Sequence, residues 1–178
     1  GISWGVTQMS GKGVIQKKIC MLGGFAVGKT SLVKRFVSGQ FSEKYHTTIG
    51  VKIDQKTQCV DDTEMLLVLW DVYGEDDFQK VRASYLHGSA GYLLVVDGTR
   101  KETLDIARQL HTLAVQSMGA VPYVLVINKH DLRESWQVDP KMYEDLASNA
   151  CLVLQSSAKT GEGVESAFNE LAKQLLKA

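Results

Sequence analysis

The stretch Ile19-Cys-Met-Leu22-Gly23-Gly-Phe-Ala-Val-Gly28-Lys29-Thr30 leads straight into Ser31-Leu-Val-Lys-Arg-Phe36. An apolar run of strand length passes through a loop of small residues into a segment whose Leu32, Val33 and Phe36 recur at helical spacing. A strand that feeds a helix through so short a loop is the first half of a βαβ unit. Working outward, the same alternation of β-period and helix-period runs fills the chain and predicts an α/β fold. The expected architecture is a doubly wound, six-stranded, mostly parallel sheet with five helices. The strands are expected near 16–23, 50–59, 64–70, 91–97, 121–128 and 151–156.

One pair breaks the parallel pattern. Val51 to Cys59 and Glu64 to Trp70 are separated only by Val60-Asp61-Asp62-Thr63, too few residues for a crossover, so they form an antiparallel hairpin. The first of the two is then the antiparallel edge strand. Leu104, Ala107, Leu110 and Leu113-Ala114 give one helix an inward stripe, and Val164, Ala167-Phe168, Leu171 and Leu175 give another. These stripes read as core.

Length and composition fit a single domain. The 178 residues are too few for two, and 44% apolar residues with only 2 prolines can bury a core, which excludes disordered and collagen-like classes. Lys+Arg and Asp+Glu both number 20, so no net basic field draws the chain to nucleic acid, and none is expected as a partner. Cys20, Cys59 and Cys151 are odd in number and form no CxxC pair. They read as reduced thiols, small buried apolar residues of a cytoplasmic protein. No apolar stretch approaches the ~20 residues of a membrane-spanning helix.

The loop also carries chemistry. Gly23 to Thr30 fits GxxxxGK followed by Ser or Thr, between a strand and a helix. Small residues let backbone amides turn toward a phosphate, and the helix adds the positive end of its dipole. Gly24, Phe25, Ala26, Val27, Gly28, Lys29, Thr30 and Ser31 are the candidate phosphate-binding residues, with Lys29 reaching the β- and γ-phosphates and Thr30 offering its hydroxyl to Mg²⁺.

Asn128-Lys129-His130-Asp131 follows the apolar run Val124 to Ile127. A carboxylate at Asp131 can accept from guanine N1–H and the exocyclic amine, whereas adenine presents an acceptor at N1. Ser156-Ser157-Ala158-Lys159, closing the last strand, supplies a second wall, with the Ala158 amide available to the guanine carbonyl. Taken alone, Asn and Asp after a strand are equally plain turn chemistry. Three motifs on successive strand ends favour a guanine nucleotide.

From about Lys17 onward the chain resembles the Ras superfamily of small GTPases, its Rab-like branch most closely. The resemblance implies a G-domain architecture over residues 17–178. Residues 1–16 read as an N-terminal extension, either disordered or added for expression. It also implies GTP or GDP with Mg²⁺ as ligands. Tyr45 to Gly50 looks like the first switch, with Thr48 completing the Mg²⁺ ligands and Tyr45 beside the nucleotide. Phe41 matches an aromatic bracing the guanine ring. Trp70 to Asp77 looks like the second switch, with Asp71 holding Mg²⁺ through water and the Gly74 amide meeting the γ-phosphate. The catalytic set implied is Lys29, Thr48, Gly74 and Glu75. Ile53, Trp70 and Tyr85 fall where Rab proteins carry an effector-facing apolar triad, although packing between switch and core explains them equally well.

The departures from the family pattern bear on rate. Phe25 and Ala26 replace glycines, Val72-Tyr73 replaces Thr-Ala, and Glu75 stands where the family has the water-orienting glutamine. A carboxylate at Glu75 can accept a proton but, ionised, donates no hydrogen bond and repels a γ-phosphate. It can also act as a base, so the sign of its effect stays open. The expectation is a monomeric GTPase switch of slow, atypical turnover, with an effector, an exchange factor and an activating protein as partners. A pseudo-GTPase that holds nucleotide without effective hydrolysis is the first rival. A nucleotide kinase is the second, disfavoured by the lack of a lid-like arginine cluster. Neither terminus as given carries a lipid-anchor signal, so membrane recruitment is expected only through a lipidated tail beyond this sequence.

Overall fold

The computed structural model describes residues 13–37, 51–72 and 83–177, with the backbone of 45–46 besides. In chain order these form β1 (Ile15–Gly23), α1 (Lys29–Val37), β2 (Tyr45–His46), β3 (Val51–Val60) and β4 (Thr63–Val72). After them come α2 (Ala83–Leu86), β5 (Gly91–Asp97), α3 (Thr103–Met118), β6 (Tyr123–Asn128), α4 (Glu144–Ala147), β7 (Leu152–Gln155) and α5 (Val164–Lys177). Short 3-10 turns at His130–Ser135 and Pro140–Tyr143 lead into α4. The strands make one sheet in the order β2-β3-β4-β1-β5-β6-β7, parallel from β4 through β7.

All six expected strands occur, each within two residues of its predicted bounds. The central ones are buried on both faces, every residue of β5 and of β6 included, which is why they read as unbroken apolar runs. The hairpin closes through Asp61 and Asp62, both in the left-handed region at φ 48° and 64°, between the pair Val60 and Thr63. Two positive φ values in succession make the tight turn whose twist matches antiparallel strands.

Two expectations need correction. The hairpin's first strand, β3, is not wholly an edge: Tyr45 and His46 pair with Ile53 and Lys52 on its outer side. Two residues are too few to show a period, so the sequence could not announce this ladder. The cysteines also differ from one another, since Cys20 is buried, Cys151 half-buried and Cys59 exposed on β3.

The core lies in two layers. On one face α1 and α5 cover the sheet, with Phe36 stacked on Phe168 at 4.0 Å between ring centroids. On the other, α3 buries Leu104, Ala107 and Ala114 against β5 and β6, with Leu110 and Leu113 partly buried beside them. The stripe of α5 is buried throughout, Val164, Ala167, Phe168, Leu171 and Leu175 together. Burial of a side chain of this size contributes roughly 1.5–3 kcal/mol, and the two layers hold β1, β5 and β6 rigid. Rigid strands fix where the loops at their carboxyl ends begin.

Candidate functional site

The chain passes from β4 on one side of β1 to β5 on the other. That reversal opens a crevice outside the carboxyl ends of the strands, where ligands of open α/β sheets bind. Four of the segments singled out in the sequence lie along it: Gly23 to Thr30 after β1, Asp71 at the end of β4, Asn128 to Asp131 after β6, and Ser156 to Lys159 after β7.

The loop after β1 is held from outside. The Asn128 amide donates to Val27 O at 2.9 Å, Lys129 Nζ to Ala26 O at 2.8 Å, and Arg100 to Phe25 O at 2.6 Å. Carbonyl and amide point oppositely across a planar trans peptide. Pinning these three successive carbonyls therefore aims the amides of Ala26, Val27 and Gly28 away from the clamps, into the concave side of the loop. Ala26 sits at φ 62°, a left-handed conformation that costs an L-residue about 1–2 kcal/mol and needs such support. Gly28, at φ 102°, adopts a conformation that favours glycine. Lys29 and Thr30 open α1, so their amides add to the same donor array at the positive end of the helix dipole. Gly24 and Val27 are buried, whereas Phe25 is 51% exposed at the mouth.

Lys129 and Arg100 converge on Asp97, which ends β5 and is 1% exposed. Its Oδ2 lies 3.0 Å from each of Lys129 Nζ and Arg100 Nε, while Oδ1 accepts from the Thr99 amide at 2.8 Å and hydroxyl at 2.7 Å. Burial alone would raise the carboxyl pKa, but the hydrogen bonds from Thr99, Arg100 and Lys129 outweigh it and hold the group below the ordinary carboxylate range. Asp97 and Arg100 were missed from sequence. The available signal was an acid closing an apolar strand with Thr two residues on, a pattern of local side-chain-to-backbone bonding.

The base-side residues form a connected wall. Ser157 donates its hydroxyl to Asp131 Oδ1 at 2.7 Å, and the Ser156 hydroxyl donates to Asn128 Oδ1 at 2.9 Å. His130 lies 3.0 Å from Glu162, and its amide donates to Ser156 O at 2.9 Å, so the loops after β6 and β7 are tied at several points. Ala158 is half-buried, while Lys159 and Ser31 are exposed.

On the other side of the loop, the Thr30 hydroxyl donates to Asp71 Oδ2, and Lys29 Nζ lies 3.7 Å from Asp71 Oδ1. Asp71 is 1% exposed, and its Oδ1 accepts no hydrogen bond among the described residues. A buried carboxylate oxygen so placed, beside a hydroxyl and at the mouth of an amide cradle, fits Mg²⁺, a hard cation that takes oxygen ligands and keeps several waters. Thr30 and Asp71 would hold it.

The remaining sites are placed unevenly. Phe41, Thr48, Tyr73, Gly74 and Glu75 lie outside the described residues, and of Tyr45 only the backbone is described, in β2. Ile53 and Trp70 face each other across β3 and β4 and pack with Tyr85, Val51 and Val72 in one small apolar cluster. Lys18 Nζ sits 3.6 Å over the Trp70 ring.

A loop of clamped carbonyls between strand and helix, at the reversal point of a parallel sheet, defines a P-loop nucleotide-binding protein. The sequence profile of the Ras family matches residues 18–177, and the chain belongs to that family. It is accordingly a guanine-nucleotide-binding switch protein with GTPase activity, of the kind that works with regulators and effectors.

Proposed function

We propose that the protein is a Mg²⁺-dependent GTP/GDP switch of the Rab-like branch, built as one G domain over residues 17–178 and acting in the cytoplasm as a monomer. Its output is an effector bound only while a γ-phosphate is present. The observation that carries the reading is the hydrogen-bonded unit joining the Gly23 to Thr30 loop to Asn128 and, through Ser156 and Ser157, to Asp131. Base selection and phosphate grip are thereby set in one frame.

The roles follow from chemistry. Amides of residues 24–31 bind phosphate oxygens, Lys29 neutralises the β- and γ-phosphates, and Asp131 accepts from the guanine donors with the Ala158 amide opposite. Lys129, Lys159 and Phe41 flank the base. Thr30, Thr48 and, through water, Asp71 would hold Mg²⁺, which would supply charge neutralisation at the phosphates. Thr48 and the Gly74 amide meet the γ-phosphate side, so loss of that phosphate releases both loops, and with them the apolar surface of Ile53, Trp70 and Tyr85. In hydrolysis a water adds to the γ-phosphorus as the bond to the β-phosphate oxygen breaks, yielding GDP, inorganic phosphate and a proton.

Turnover is slow in this reading. Glu75 cannot orient water and donate toward the phosphoryl group as glutamine does, and Phe25, 51% exposed at the loop mouth, obstructs an arginine supplied by an activator, a contribution worth about 10³–10⁵ in rate. The same residues support the second reading, a pseudo-GTPase that stays loaded. Single-turnover GTP hydrolysis by the native protein and by Glu75→Gln and Phe25→Gly, each with and without an arginine-finger activator, tests both. The switch reading expects native turnover well below about 1 per second that changes in Glu75→Gln, and an unchanged rate in that variant removes Glu75 from the mechanism. No release of phosphate from the native protein over many hours favours the pseudo-GTPase, and strong activation of the native protein refutes the role given to Phe25.

A further inference from the structure

Two of the three clamps on the phosphate loop come from Asn128 and Lys129, residues of the base-side motif. The third, Arg100, belongs to no motif read in the sequence. Its guanidinium uses two different nitrogens: Nε reaches Asp97 Oδ2 at 3.0 Å, and Nη2 reaches Phe25 O at 2.6 Å. The anchor is buried at 1% exposure and the Arg100 side chain is 31% exposed, so this is not a free surface ion pair of negligible value. Phe25 O shares its peptide unit with the Ala26 amide, and Ala26 is the left-handed residue of the loop at φ 62°. Without Arg100, that peptide unit loses a contact that holds its orientation.

We propose that Arg100 is a positioning residue for the nucleotide: anchored on Asp97, it fixes the Phe25–Ala26 peptide so that the Ala26 amide faces the phosphates, and it thereby sets how long nucleotide stays bound. The proposal rests on the reading of this loop as the phosphate site. It assigns each of three successive loop amides its own outside clamp, with Asp97 shared by two of them. A planar fork with separate nitrogens can satisfy Asp97 and Phe25 O at once, whereas a lysine ammonium offers one point of charge. Lysine therefore replaces Arg100 only in part.

The test is dissociation of a fluorescent GDP from the native protein and from Arg100→Ala, Arg100→Lys and, as a control, Arg108→Ala, whose ion pairs run to Asp105 and Asp145 instead. Loss of a charge-assisted hydrogen bond predicts dissociation about tenfold faster in Arg100→Ala. Arg100→Lys should fall between, and Arg108→Ala should match the native protein. In the GDP complexes the Ala26 amide resonance should move in Arg100→Ala while that of Gly28, clamped through Asn128, stays near its native position. A purely structural role would not separate those two amides. Dissociation from Arg100→Ala within about twofold of native, or equal movement of both amides, overturns the proposal. A native protein that fails to bind GDP at all overturns the reading of the loop and the proposal with it.

Discussion

Gly28 and Asn128 leave no room between them for a methyl group: a Cβ on Gly28 would stand 2.3 Å from Asn128 Nδ2, the same nitrogen that clamps Val27 O. Gly28 is also at φ 102°, a conformation that strains any other residue by about 1–3 kcal/mol. Gly28→Ala should therefore displace the clamp and weaken GDP binding at least about a hundredfold, while the two core layers, to which Gly28 contributes no side chain, keep the protein folded. Calorimetric titration with GDP, beside a thermal melt, checks it.

Thr30 and Thr48 should separate by nucleotide state. Thr30 is fixed at the start of α1 with its hydroxyl on Asp71, so on the proposed reading Thr30→Ala removes a Mg²⁺ ligand in both states and should weaken GDP and GTP alike. In the proposed switch Thr48 meets the γ-phosphate side, so on that reading Thr48→Ala should spare GDP and remove discrimination by an effector. Affinities for GDP and a non-hydrolysable GTP analogue, with and without chelator, measure both. Equal damage to GDP binding in Thr48→Ala contradicts the assignment.

His111 gives a pH signature remote from the site. Its ring nitrogen lies 2.7 Å from the Tyr92 hydroxyl, and burial lowers its pKa below 6.5, with Asp145 opposing weakly. The unfolded chain then takes a proton at higher pH than the folded one. The stabilisation is present above about pH 6.5 and is lost as pH falls through the folded value. Urea midpoints should drop between about pH 7.5 and 5.5, and His111→Gln should flatten that drop; parallel profiles would exclude His111 as a source.

Much of this was legible in the chain because its signals are local. The loop is a contiguous motif, Asp71, Asn128 and Asp131 close or follow apolar strands, and the helix stripes recur at a fixed period. What was not legible depends on register between distant strands. Asp97 lies opposite Asn128 only because β5 pairs with β6, and Arg100 finds Phe25 only because β5 lies beside β1. The ladder at Tyr45–His46 is shorter than any period, and the outward turn of Cys59 is a matter of strand phase that neighbouring residue types do not report.

Competitive binding of GTP against ATP is the most direct test of the central claim, because it asks whether Asp131, held by Ser157, selects guanine. Two guanine donors left without an acceptor cost roughly 1–3 kcal/mol or more. The account predicts that the native protein prefers GTP to ATP by well over about a hundredfold and that Asp131→Ala loses that preference, with GTP and GDP affinity falling together. Equal affinity of the native protein for GTP and ATP would contradict it.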